Sequence, residues 1–323
     1  MAHDDKQPVK TGRRRLIPVA AAAAVALIGT VIWGVSGSGG GQQAAPAVTH
    51  PTATSATPTT QSSPATTGNV AGATTRLVLP AYFVGASSAA GDRFGLYREL
   101  VRTAVPAGAT PDQKAKAAVA VAMNPQPFAS GESYLQPWSA TSVTAVTATP
   151  SLITIALSGP GGNGFTPAQT RLAVQSLIWT AQAAFGQGSI PVKFVVADGS
   201  TKLFGTYPTA QTYNRPTDSL QYEVLAPIWI TSPLRDQVFP TGTAVVATGE
   251  SCAFEGTTAW QLKKSGKAVR SGSTTASSGC PTRGTWQVKL GVLPAGKYSF
   301  RMFEVSMKDG QVVAETSKPF VVR

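Results

Sequence analysis

Only 13% of the 323 residues are charged, well below the ~25% of ordinary soluble domains, yet the formal net charge is +12. Thr, Ser, Ala and Gly take the place of charge, a usage that suits a β-rich extracytoplasmic protein better than a cytosolic enzyme. Both histidines, His3 and His50, precede residue 51, so the rest of the chain has no imidazole for general-base work, and neither a Ser-His-Asp nor a Cys-His arrangement can be built there.

Residues 1–15 read as a short tail, with five basic residues against Asp4 and Asp5. Residues 16–35, LIPVAAAAAVALIGTVIWGV, carry no charge and directly follow Arg13-Arg14-Arg15. About 20 apolar residues of helix cross a hydrocarbon core ~30 Å thick. The basic cluster should stay cytoplasmic, which places the remainder across the membrane. The expectation is a single-pass cell-membrane protein with extracytoplasmic carboxyl-terminal domains. The alternative is a cleaved secretory signal, for which Ala44-Ala45-Pro46-Ala47 offers small residues. A lipoprotein is excluded, since no cysteine occurs before Cys252. Residues 36–74 read as a Thr/Pro/Ser/Ala linker, too poor in large apolar side chains to offset its ordering entropy.

From residue 75 to 225 the texture is that of a folded α+β domain. Leu77–Val84 and Gly95–Val105 read as strands. Thr110-Pro111-Asp112-Gln113 is a capping box with Pro at the first helical position, and it opens a helix ending near Met123 before Asn124-Pro125. A hairpin follows over 142–157, turning at Pro150-Ser151. Thr166-Pro167-Ala168-Gln169 repeats the capping grammar. It starts a helix with Leu172, Leu177, Ile178, Ala181 and Phe185 on one face, closed by Gly186. Val192–Ala197 is a final strand before the Asp198-Gly199 turn. This order predicts a mixed sheet with two helices on one face.

Past Leu225 no helical period survives. Seven short strands between 228 and 321, separated by turns such as Ser265-Gly266, Pro294-Ala295-Gly296 and Asp309-Gly310, predict an all-β immunoglobulin-like sandwich over 226–323. The net charge there is +6, with twelve basic and six acidic residues. Cys252 and Cys280, an even pair in an extracytoplasmic chain, predict a disulfide. No histidine lies near them to make a zinc site.

Residues about 75–215 resemble the GerMN domain of bacterial sporulation, germination and envelope proteins. The stretches LPAYFVG (79–85), FGLYRELVR (94–102), AVAVAM (118–123), ITIALSG (153–159), RLAVQSLIWT (171–180) and VKFVVADG (192–199) carry the likeness. Residues about 227–323 resemble the immunoglobulin-like domain of bacterial spore germination, through Ile230-Thr231-Ser232-Pro233, Val245–Gly249, Ala253-Phe254-Glu255 and GKYSFRMFEVSMKDG (296–310). The resemblance implies a fold akin to ring-building motifs and brings no catalytic residues.

No phosphate-cradling loop, nucleophile elbow, calcium loop or nucleic-acid motif occurs, and no cofactor or metal is expected. Glu132, Asp198, Glu255 and Glu304 are the only carboxylates worth weighing for glycoside hydrolysis; Glu255 and Glu304, each after a Phe in the immunoglobulin-like part, read better as acceptors of structural hydrogen bonds or salt bridges. Two surfaces stand out as ligand candidates. Trp138, in a loop beside Pro137, is the best candidate among the six tryptophans for an exposed aromatic contact that could stack on a sugar, against the alternative of a core residue. Lys263, Lys264, Lys267 and Arg270 surround the Ser265-Gly266 turn as a basic knob, or else as lysines guarding a sheet edge. The sequence thus leads to a non-enzymatic, membrane-anchored interaction or assembly module of the bacterial envelope, binding other envelope proteins or itself. Its alternative is a binder of cell-wall glycan or another anionic polymer; nucleic acid is not expected as a partner.

Overall fold

The paired strands β1 (Thr74–Ala86) and β2 (Phe94–Pro106) form a long antiparallel ribbon in which Thr74 lies opposite Pro106 and Ala86 opposite Phe94. The computed structural model describes residues 73–88, 90–125 and 134–323. The expected tail, membrane helix and nearly all of the linker lie outside the described residues, as does Glu132. Among the described residues no helix is long and apolar enough to cross a membrane.

Helix α1 (Pro111–Met123) and helix α2 (Pro167–Phe185) both start on the capping box read from sequence. Thr110 accepts from the Gln113 amide and Thr166 from the Gln169 amide, and each glutamine side chain reaches back to its cap. Gly186 ends α2 with φ +67, a left-handed value that costs glycine nothing. The hairpin β3 (Val143–Thr149) and β4 (Leu152–Leu157) pairs antiparallel, β5 (Val192–Val196) joins β4 in parallel, and the sheet is mixed, as expected. The first two strands do not join it. The four-stranded sheet has the order β3-β4-β5-β8, with β8 at Thr212–Tyr213, and the ribbon stands apart. One apolar cluster joins both helices to the inward residues of β3, β4 and β5 and also to Ala81 and Phe83 of β1, so the helices pack on the ribbon as well as on the sheet. A two-residue pair, β6 (Lys202–Leu203) and β7 (Tyr207–Pro208), completes this part.

The ribbon has a second buried side. Strand side chains alternate between faces, and Tyr82 and Val84 belong to another cluster with Leu96, Trp179, Leu225, Ala226 and Trp229. Glycine is required where the ribbon meets this neighbour: a Cβ on Gly95 would fall 2.8 Å from the Ala226 nitrogen.

The carboxyl-terminal strands make two sheets. One has the order β14-β11-β9, from Gly284–Val292, Ala244–Ser251 and Ile228–Ser232. The other has the order β10-β16-β15-β12-β13. Its members are β10 (Gln237–Phe239), β12 (Thr257–Lys264), β13 (Lys267–Thr275), β15 (Gly296–Val305) and β16 (Val312–Val322). Inward residues of both, including Ile230, Val245, Trp286, Leu290, Phe300, Met302 and Phe320, share one core. The described protein is mostly β, with two α-helices and an immunoglobulin-like sandwich. All described residues fall within one compact unit.

Candidate functional site

The densest polar chemistry lies where the amino-terminal part meets the sandwich. Leu96 is the hinge of that contact. Its amide donates to Val224 O (2.8 Å), and its carbonyl accepts from the Ala226 amide and from Trp229 Nε1, both at 2.9 Å. Trp229 packs edge-on against Tyr82, and the Arg283 guanidinium lies 4.0 Å over its ring while donating to the carbonyls of Ala226 and Pro227. Burial pushes the Arg283 pKa down to about 10, against the opposing pull of Glu250 and Tyr82. On the neighbouring face Arg215 sits 4.0 Å over Trp179 and donates to the Trp179 carbonyl at 3.0 Å. Arg98 of β2 reaches Glu250 of β11 at 3.3 Å.

Three buried charges complete the junction. Glu99 of β2 is 3% exposed. Its Oε1 accepts from the Tyr134 hydroxyl at 2.9 Å and lies 3.7 Å from Arg235, and its Oε2 pairs with the Lys318 ammonium. Lys318 shares the inward phase of β16 with Ala314, Phe320 and Val322, so its charge points where a core residue would. Burial pushes Lys318 down from 10.5 to about 7. The Glu99 carboxylate pulls the other way, and Arg235, sharing that carboxylate, weakens the pull. The Tyr97 hydroxyl adds a bond to the Glu315 carbonyl.

A cleft of about 720 Å³ opens beside this junction, lined among others by Arg93, Arg171, Tyr222, Glu223, Cys252 and Glu304. A second, of about 390 Å³, shares Tyr222, Leu225 and Cys252 with it. The Cys252–Cys280 disulfide is formed, as the sequence predicts, and ties the end of β11 to the segment after β13. Near it Phe254 is 70% exposed, and its amide donates to Glu304 Oε1 at 3.0 Å. Glu304 is thereby engaged by a backbone amide. Asp198 lies in an exposed turn, where hydrogen bonds from Ser200 hold its carboxyl below the usual range. Among the described residues no group of three or more potential ligands could hold a metal ion.

Trp138 corrects the sequence reading. It is 1% exposed, its Nε1 donates to the Ala173 carbonyl of α2 at 3.3 Å, and its ring tilts against Phe204 at 4.7 Å. The small side chain of Ala173 lets the indole close over the helix, and burying so large an apolar surface outweighs leaving it in water. The four basic candidates sit on the β12–β13 hairpin, where Lys264 lies opposite Lys267. Two are tethered. Lys264 Nζ donates to Ala295 O at 3.1 Å and lies 5.4 Å over Tyr298, and Arg270 donates to Leu290 O. Lys263 and Lys267 have no carboxylate partner among the described residues.

The sequence reading missed Glu99, Arg235 and Lys318. One signal was present: Lys318 interrupts an inward apolar phase with a charge, which requires a buried partner.

A two-sheet sandwich with this strand order is an immunoglobulin-like class of domain. Residues 227–311 match the family model described as the immunoglobulin-like domain of bacterial spore germination, and the chain carries that domain. No curated protein matches the chain. Among solved structures, CopC from Methylosinus trichosporium OB3b is similar at 16% identity, over 29% of this chain and 92% of its own, with a TM-score of 0.22. That superposition is too loose to bear on function.

Proposed function

We propose that the chain is a non-enzymatic interaction or assembly module of the bacterial envelope, anchored by residues 16–35 with its folded part extracytoplasmic. One observation carries the reading. The germination-type sandwich is joined to the amino-terminal part by a buried polar junction, beside a cleft that exposed Tyr222 lines and whose Glu304 accepts from the amide of exposed Phe254. Surfaces with exposed aromatic side chains suit protein contacts. We read residues 75–225 as a GerMN domain, supported by the order strand, strand, helix, hairpin, helix, strand. The anchor reading is supported by the charge-free run behind three arginines.

The test is chemical crosslinking in intact cells, followed by light scattering of the purified full chain in detergent. A crosslinked envelope partner, or a mass above that of the 33.3 kDa monomer, is expected. A strict monomer without crosslinked partners refutes the assembly reading. Release from membranes by alkaline carbonate refutes the anchor.

A second reading, binding of an anionic envelope polymer, is favoured by a different observation. Residues 256–303 hold eight Lys and Arg and no Asp or Glu.

A further inference from the structure

Six of the eight cations of that acid-free stretch lie together; Arg283 is held over Trp229 at the junction and Arg301 is paired with Glu315. β12 runs from the disulfide region toward the Ser265-Gly266 turn, and β15 starts at that same end, Lys264 lying opposite Tyr298. The Ser265 amide donates to the Lys297 carbonyl at 3.4 Å, Lys264 is fastened to Ala295, and Arg270 to Leu290. These contacts gather Lys263, Lys264, Lys267, Arg270 and Lys297 at one end, with Lys289 of β14 one residue before Leu290. The cleft, the disulfide and Glu304 occupy the opposite end of β15. No carboxylate pairs with any of these six among the described residues, so their fields add.

We propose that this acid-free end of the sandwich is a docking surface for a phosphate-bearing anionic polymer of the envelope. The inference rests on the second reading above and gives it an address. The arrangement suits a polymer better than a single small anion. The tethers to Ala295 and Leu290 spread Lys264 and Arg270 instead of converging them on one point. Neighbouring strands, about 4.8 Å apart, set the cations out as a row that repeating anions can follow. It also suits a polymer better than a bilayer. The turn tip is Ser265-Gly266, no aromatic side chain stands exposed there, and the exposed apolar residues nearby are the small Val269 and Val292. Interfacial binding normally adds Trp, Phe or Leu insertion to charge.

The test uses the purified full chain in neutral detergent and measures binding to long-chain inorganic polyphosphate at two salt concentrations. Vesicles of phosphatidylglycerol and neutral dextran are run alongside. The variant Lys263→Glu/Lys267→Glu/Lys297→Glu reverses three charges, those of exposed Lys267 and Lys297 and of half-buried Lys263. Lys114→Glu/Lys116→Glu/Lys308→Glu makes the same change in net charge on α1 and on the β15–β16 turn. Unfolding midpoints check that both variants remain folded. Salt-sensitive polyphosphate binding is expected, weakened at least about tenfold by the first variant and less than about twofold by the second, as local focusing of the field requires. Equal losses in both variants would overturn the location and leave polymer binding standing as a net-charge effect. No polyphosphate binding by the unaltered chain would overturn the second reading itself. Preferential capture by the vesicles would overturn the polymer in favour of a membrane surface.

Discussion

Replacing Glu99 by leucine should be among the most damaging single changes outside the apolar cores. The carboxylate is 3% exposed and serves Lys318, Arg235 and the Tyr134 hydroxyl. Its loss leaves the Lys318 ammonium buried without its carboxylate and takes one partner from Arg235, and breaking a buried pair in this way costs about 3–5 kcal/mol. Lys318→Met should cost less, about 1–3 kcal/mol, because Glu99 keeps Arg235 and Tyr134 while one desolvated charge disappears. The double variant should then be more stable than Glu99→Leu alone. The pH dependence has a definite sign. The folded pKa of Lys318 lies near 7 and its unfolded value is 10.5. Between those values the unfolded chain holds a proton that the folded chain lacks, so Lys318 makes stability rise with pH through that window. The slope approaches about 1.4 kcal/mol per pH unit. Below the folded pKa the contribution is level. Urea unfolding of the full chain, followed by tryptophan fluorescence at several pH values in unaltered and Lys318→Met protein, measures both effects. Additive costs in the double variant, or an unchanged pH slope in Lys318→Met, would refute the account of the junction.

Three further outcomes are expected. Cys252→Ser/Cys280→Ser, or reduction of the unaltered protein, should lower stability by about 3.5 kcal/mol on the chain-entropy model for the loop closed across 28 positions; a thermal melt with and without reductant reads it directly. Gly249→Ala should cost about 1–3 kcal/mol, since a Cβ there would run into the Trp229 carbonyl and the Trp286 ring and force the sheet to shift; unfolding in urea reports it, and an unchanged midpoint contradicts the packing. Trp138→Ala should cost about 3–5 kcal/mol, yet leave polyphosphate binding by the surviving folded protein unchanged; weakened binding would return Trp138 to a ligand role.

Features governed by local rules were legible in the sequence. Thr110 and Thr166 announce their helices because the cap bonds are made within four residues, and Gly186 closes α2 for an equally local reason. Turn chemistry located the strands of the sandwich, since each hairpin turns on residues such as Ser265-Gly266. What escaped was set by distant partners. Leu77–Val84 reads as a strand, but that it pairs only with β2 and buries both faces depends on Trp229 and Leu225. Trp138 beside a proline looks like an exposed loop residue until Ala173 arrives beneath it. Very short strands such as Lys202–Leu203 have too few residues to show a period. Nothing in the strand around Glu99 singles it out, and only its match with Lys318 reveals its buried role.

The bond from Tyr97 to Glu315 spans 218 residues, and Glu99 likewise waits for a lysine near the end of the chain. A ribosome makes β2 long before it makes β16. Until β16 emerges, the Glu99 carboxylate stays hydrated, and until Trp229 and Leu225 emerge, the aromatic side of the ribbon around Tyr82 lacks its cover. Contacts so far apart in sequence form late and slowly. β16 is thus the strand that closes this junction, and the ribbon remains unlocked until β16 has been made.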